Sequence, residues 1–402
     1  MTATRLRIAF IAQNDVLPPD DGAKIRNMHL VRGLAREHDV TLIVTQPHTP
    51  DQLEALRALG VTPVALPKPT SRFVSYLRWI ATGVPFDLAL FANPTLTRWL
   101  RRNRDRIDVV LAVCVSQALN VPAWGRGGPP IVIDTVDLEW VRHEREVREQ
   151  RRLRSRARKV VRGLGTKRFE LAQMRRAVRV LVCSEVEREL LASQGIEAVD
   201  VVPNGVDTAA ADPNGNGAGR GPVVLFPGNL AYPPNAAAAE WILSEIGPRV
   251  SELKPDLEVL VAGRDASPRL RSLAESSSAT LRSPVPDMGE LFSSSTLVVA
   301  PLRSGGGTRI KILEAFGFGR AVVSTPIGAE GISVVDGEHL LLAEDTEGIA
   351  RAIVRVAEDA ELRERLGRAG RRLVEERYDW GAIGRRLSGD LRRWTSRAKE
   401  RR

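Results

Sequence analysis

The stretch PLRSGGGTRIKILEAFGFG, residues 301–319, poses the question on which the reading of this chain turns. The strand-like run TLVVAP delivers it, three glycines follow, and a helix-forming segment begins at Thr308, which reads as its N-cap. The first turn carries Arg309 and Lys311 and no carboxylate. A helix N-terminus already holds partial positive charge, so two cations there are unfavourable unless an anion sits opposite. Glycine amides and a helix N-terminus make an anion cradle, and Arg309 and Lys311, with Arg303, would oppose a doubly charged group such as a diphosphate. Glu314 follows almost one turn after Lys311 and suits the vicinal hydroxyls of a ribose. The plain alternative is a surface loop with solvated cations, which leaves Gly305, Gly306 and Gly307 without a purpose.

Working outward, short β-rich runs alternate with helical stretches, the signature of a parallel α/β sheet with helices on both faces. Before residue 207 the runs are LRIAFIA, VTLIVT, VTPVAL, DVVLAV, PIVIDTV, RVLVCS and AVDVVP. Residues 207–222, DTAAADPNGNGAGRGP, have no periodicity and read as a linker. The alternation then restarts with PVVLFPG, LEVLVAG, ATLRSP, TLVVAP, AVVSTP and HLLLAE. Two Rossmann-like domains are expected, 1–206 and 223–378, with a closing helix over 379–402 that packs back toward the first. Trp380 and Trp394 are available there as anchors.

Composition limits the candidates. The 402 residues are 43% hydrophobic, ample for two cores. Cys114 and Cys183 show no disulfide framework or metal-ligand spacing and read as buried thiols in a reducing compartment. LRIAFIAQND turns polar too soon for a leader, and no run of about 18 apolar residues could span a bilayer. The formal charge of +10 is concentrated: residues 141–178 hold fourteen Arg or Lys against four Glu. With 52 Arg to 7 Lys, coding bias contributes to that balance. The long basic helix expected there is a solvated face or a contact with an anionic membrane surface, in preference to nucleic acid.

Ligands of open parallel sheets gather at the carboxyl ends of strands. After the first run, Gly22 precedes a helix carrying Lys24 and Arg26, without the G-x-G-x-x-G dinucleotide fingerprint. After PIVIDTV, Asp134, Asp137 and Glu139 cluster where carboxylates orient a sugar hydroxyl or accept its proton; N-capping by Asp137 is the alternative. Ser184 and Glu187 fit a capping box.

Residues 223–332, from VVLFPGNLAYPPN through LEVLVAG and SPVPDMGELFSSSTLVVAPLRSGGGTRIKILEAFGFGRAVVSTPIGAEG, resemble the donor domain of the retaining GT-B glycosyltransferases of family 4. VPNGVD at 202–207, CSEVE before it and PPDDGAKIR near the start resemble the same family. The likeness is strongest to the bacterial transferases that build exopolysaccharide or lipid-linked glycans. The resemblance implies two domains facing across a cleft, a nucleotide-diphosphate sugar bound mainly by the second, an acceptor held by the first, and transfer with retention. It makes Glu314 the ribose-binding Glu, second of an E-x7-E pair, and sets Gly228 and Asn229 against the donor phosphates. Backbone groups of Ser283 to Val285 would receive the base, and Lys24 and Arg26 would meet donor and acceptor; Gly22 reads either as a plain loop-to-helix transition or as a flexible residue that lets backbone approach a substrate. Gly306 stands where many members place the first Glu, and NLAYPPN replaces the Arg and Lys pair that many carry after the PG loop. Asp134 and Asp137 lie near the place of a frequent His.

Arg309, Lys311, Asp134 and Asp137 are therefore the candidate catalytic residues. Gly22, Lys24, Arg26, Gly228, Asn229, Ser283, Val285, Arg303, Gly305, Gly306, Gly307, Thr308 and Glu314 are the candidate donor-binding ones. No metal or other cofactor is expected, since no Asp-x-Asp falls in a suitable loop. The expected partners are a nucleotide sugar and a glycan or lipid-linked acceptor. The expected location is cytoplasmic, peripheral at the inner face of the cell membrane. A nucleotide-sugar epimerase and a GT-B protein that binds nucleotide sugar without transferring it are the alternatives.

Overall fold

The computed structural model describes residues 4–13, 16–19, 22–67, 86–124, 127–149, 153–211, 222–305 and 308–400, with backbone alone for 86–87, 145–149, 153–159 and 161. Most of the expected linker lies outside these residues, as do Gly306 and Gly307.

Each β-rich run is a strand. Arg7–Ala12, Asp39–Val44, Thr62–Ala65, Val109–Val113, Ile131–Asp134, Arg179–Val182 and Val199–Val201 are β1 to β7. Val223–Asn229, Glu258–Arg264, Thr280–Arg282, Leu297–Ala300, Ala321–Ser324 and Leu341–Leu342 are β8 to β13. They form two parallel sheets, ordered β3-β2-β1-β4-β5-β6-β7 and β10-β9-β8-β11-β12-β13. Helices cover both faces, so the strands read as continuous apolar runs rather than alternating ones. In β8, Val224 and Phe226 join one core cluster while Val223 and Leu225 join the cluster on the opposite face. Each order reverses once, between β1 and β4 and between β8 and β11, and these are the topological switch points where ligands of such sheets bind.

The chain divides into two compact units, Met1–Pro203 with Ile383–Arg402, and Asn204–Ala382. In the first unit the helix Trp380–Glu400 lies close, near its start, against the helix Gly22–Ala35: a Cβ on Gly384 would come within 3.1 Å of the Gly33 Cα. Lys399 pairs with Asp108 at 3.2 Å, and Trp394 is buried beneath the Arg179 guanidinium. The basic segment is two helices, Glu139–Glu149 and Leu153–Met174, rather than the single one expected from its charge. They pack on each other, tied by the Trp140 N–H donating to buried Glu170 at 3.2 Å and by Lys167 over the Trp140 ring.

His38 joins the helix Trp380–Glu400 to the sheet. Its Nδ1 accepts the Leu6 N–H at 3.2 Å, and its Nε2 meets the Ser388 hydroxyl, which donates to Glu37, at 2.8 Å. Both ring nitrogens are thus used by the neutral tautomer. Burial lowers the pKa, with Arg392 adding to the effect. The stabilisation is therefore complete above the ordinary value of about 6.5 and is lost as pH falls through the depressed one. Between about pH 7.5 and about pH 5.5 the urea midpoint should fall, and His38→Gln should flatten that slope; equal slopes in both proteins would refute the link.

Candidate functional site

The second unit's switch point gathers some of the expected donor residues. Gly228 and Asn229 end β8, and Gly305 follows β11. Gly228 and Gly263 are where backbones approach closest: a Cβ on Gly263 would fall 1.7 Å from the Gly228 carbonyl oxygen. Gly305 takes a φ of +114°, a region side chains avoid, and a Cβ there would press on Pro234 and the Arg309 guanidinium.

The helix after this loop starts one residue later than the sequence suggested. It spans Ile310–Gly317 with Arg309, not Thr308, at the N-cap, and no side chain caps it. Thr308 and Arg309 are buried, and an Arg309 guanidinium N–H donates to the Ile327 carbonyl at 3.3 Å. Lys311 turns inward. Its Nζ donates to Asn235 Oδ1 at 2.9 Å, stands 4.0 Å from the centre of the Phe226 ring, and would lie 3.2 Å from a Cβ on Gly228. Desolvation, then the charge of Arg309, lowers the Lys311 pKa to about 7. Desolvation raises that of Glu314 to about 7, opposed by Lys311. Lys311 therefore stands at the strand end with Arg309 and Glu314 close enough to shift its charge, and Lys311 and Glu314 are both poised near neutrality. That arrangement can take an anion and donate hydrogen bonds to it.

Not all the expected residues join them. Arg303 stacks its guanidinium on the Trp241 indole, 3.3 Å from the ring centre, and has a partner other than the glycine loop it precedes. Ser283 and Val285 follow β10; the Ser283 hydroxyl accepts the Ala266 N–H at 3.3 Å, its carbonyl accepts from Arg271 at 3.4 Å, and Val285 packs on the core. The sequence does not single out Asn235, because NLAYPPN stands out there only for the basic pair it lacks.

In the first unit Gly22 opens the helix Gly22–Ala35 and is exposed, with Lys24 half-buried in its first turn. Arg26 and Asp134, expected at donor and at catalysis, are instead each other's partners. Nε–Oδ2 is 2.9 Å, Nη2–Oδ1 is 3.1 Å, and both side chains are 0% exposed. Asp134 Oδ1 also accepts the N–H of Val136, whose φ of +59° is strained for a β-branched residue. The pair braces the turn after β5, which leaves Asp137 exposed. The capping box at Ser184 is displaced by one residue: the Glu187 N–H reaches Ser184 Oγ, while the Glu187 carboxylate accepts from the Cys183 N–H at 2.9 Å. Burial, then the Asp137 charge, pushes Glu187 up to about 7. Among the described residues no group of three or more His, Cys, Asp or Glu could hold a metal ion.

Two families match the chain: Glycosyltransferase Family 4 over residues 21–210 and Glycosyl transferases group 1 over residues 221–359. The phosphatidyl-myo-inositol mannosyltransferase of Mycolicibacterium smegmatis is 32% identical over 52% of this chain and 55% of its own length. That of Mycobacterium leprae is 31% identical over 52% and 57%. The chain thus matches just over half the length of these relatives. Among solved structures, sucrose-phosphate synthase from Thermosynechococcus elongatus superposes with a TM-score of 0.71 over 98% of this chain and all of that one, at 17% identity. Anabaena HepE in complex with UDP and glucose gives 0.68 over 96% and 99%, at 14% identity, a likeness of fold. With two parallel sheets of this order and both families matched in sequence along it, the chain belongs to the family 4 and group 1 glycosyltransferases of GT-B architecture.

Proposed function

We propose that the protein moves a sugar from a nucleotide-diphosphate sugar to a glycan or lipid-linked acceptor, with retention of anomeric configuration. The placement of Lys311 carries this reading: its ammonium, with Arg309 behind it, stands at the Gly228 strand end where these sheets bind ligands. Breaking the bond from the anomeric carbon to phosphate oxygen places negative charge on the departing diphosphate, and fixed cations lower that barrier. Glu314 takes the ribose hydroxyls. The chain's own cations supply the charge stabilisation, so neither a metal nor a further cofactor is part of the proposal. The relatives' name supports a lipid-linked acceptor, and acceptor binding falls to the first unit.

The test is a panel of UDP-, GDP-, ADP- and dTDP-sugars, headed by mannosyl and glucosyl donors, with nucleotide release and product anomer read together. Retained transfer is expected. Interconversion of donors, nucleotide binding without turnover, or no association with any nucleoside diphosphate would each overturn the proposal.

The work belongs at the inner face of the cell membrane. The helix Leu153–Met174 exposes Val160 and Leu164 one turn apart, with Arg162 and Arg168 exposed beside them, the composition of a helix that lies on anionic lipid. No described helix is long and apolar enough to cross a membrane. Co-sedimentation with phosphatidylglycerol vesicles should occur and weaken in Leu164→Asp; equal sedimentation of both proteins would refute this surface.

A further inference from the structure

Asn235 opens no motif, yet it connects the two segments that build the anion site. It is third in the helix Pro233–Trp241, after two prolines, and is only 9% exposed. Its Nδ2 donates to the Asn229 carbonyl at 2.9 Å, and its Oδ1 accepts from Lys311 at 2.9 Å. Asn229 in turn accepts the Ala231 N–H through its own side chain at 2.9 Å, which closes the turn. The sense of the Asn235 amide follows from these partners, because flipping it would set an NH₂ against an ammonium and an oxygen against a carbonyl.

The charged groups that bear on Lys311 are Arg309, beside it in sequence, and Glu314 on the same helix. Among the described residues the elements packed against it offer no carboxylate at its Nζ: the helix Pro233–Trp241 presents the Asn235 amide, and β8 presents the Phe226 ring. The nearest acceptor is thus neutral. A carboxylate at position 235 would pair with the ammonium permanently and, when ionised, could not donate to the Asn229 carbonyl.

We propose that Asn235 is a positioning residue, a neutral acceptor that aims the Lys311 ammonium at the Gly228 loop without cancelling its charge, so that the incoming nucleoside diphosphate supplies the counter-ion. This rests on the assignment of Lys311 to the donor diphosphate. The amide also couples the turn after β8 to the helix after β11, so one side chain sets the distance between the two halves of the cradle.

The experiment is calorimetric titration of UDP, GDP, ADP and dTDP, using whichever binds the wild type, against pH from about 6 to about 9, on Asn235→Asp, Asn235→Leu and the Asn235→Leu/Lys311→Ala pair. Asn235→Asp should weaken binding about tenfold at neutral pH and move its alkaline limit up by about one unit, because the new carboxylate holds the proton on Lys311. Asn235→Leu should weaken binding about tenfold alone and less than about threefold in the Lys311→Ala background. A merely structural role predicts an unshifted alkaline limit and losses that add in full; either result, in proteins with wild-type melting curves, overturns the proposal. Should the Asp variant fail to fold, the Leu cycle decides. If Lys311→Ala alone leaves binding intact, it is the donor reading of Lys311 that fails.

Discussion

Lys311→Ala is expected to lower kcat/KM for the sugar donor by about 10²-fold or more, with the melting temperature close to that of the wild type. The ammonium is the cation held nearest the Gly228 strand end, and its hydrogen bond to Asn235 leaves its other protons for a ligand. The variant lightens a crowded cationic corner, so the fold has little to lose. The pH profile provides a second arm. Lys311 and Glu314 both titrate at about 7, one pushed down and the other up by desolvation. The donor complex needs Lys311 charged and Glu314 ionised, so binding weakens above neutrality as the amine loses its proton and below it as the carboxylate gains one. Because the two interact, the apparent values belong to the pair. A diphosphate raises the Lys311 pKa, so binding at about pH 8 should take up a proton, visible as a dependence of binding heat on buffer ionisation enthalpy. Lys311→Arg should erase the alkaline limb, because a guanidinium stays charged throughout. Full activity in Lys311→Ala, or an alkaline limb that survives in Lys311→Arg, would remove Lys311 from the site.

The strands were legible because both faces of each sheet are covered, which writes every strand as an unbroken apolar run such as VVLAV or LVVA. The glycine loop before Arg309 and Lys311 was legible for a different reason: its cations contradict the helix dipole, and such a conflict needs a ligand to resolve it. Pairings across long sequence distances left no such trace. Nothing local distinguishes an Arg26 that faces a substrate from one whose partner lies 108 positions away at the end of β5. Asn235 was equally hidden, since an Asn after two prolines reads as ordinary turn chemistry until Lys311, 76 positions on, arrives at its oxygen. Thr308 misled because a Thr before an apolar run is a common cap, whereas here it is buried and the helix starts past Arg309. The basic segment misled by its composition, which records charge and says nothing about where a long helix breaks in two.

Arg26→Met should destabilise the first unit by about 3–5 kcal/mol, the cost of stranding a buried carboxylate. Asp134 is wholly enclosed, and among the described residues the Val136 N–H is the donor that would remain to its carboxylate, a weak match for a full negative charge. The consequences spread along the β5 end. Arg26 at present opposes the burial that raises the Cys183 and Glu187 pKa values, so its removal pushes both further up and favours the protonated form of Glu187, while the Cys183 thiol is protonated in either case. The Val136 turn, held at a φ of +59°, depends on the same carboxylate. Arg26→Met with Asp134→Leu should recover part of the loss, since two apolar groups of similar volume leave no unpaired charge, and only part, because the Val136 N–H then has no acceptor. Urea unfolding followed by tryptophan fluorescence reads both variants. A donor-binding Arg26 predicts the opposite pattern, an unchanged midpoint with a raised donor KM and no rescue by the second substitution, and that outcome would return Arg26 and Asp134 to the reaction.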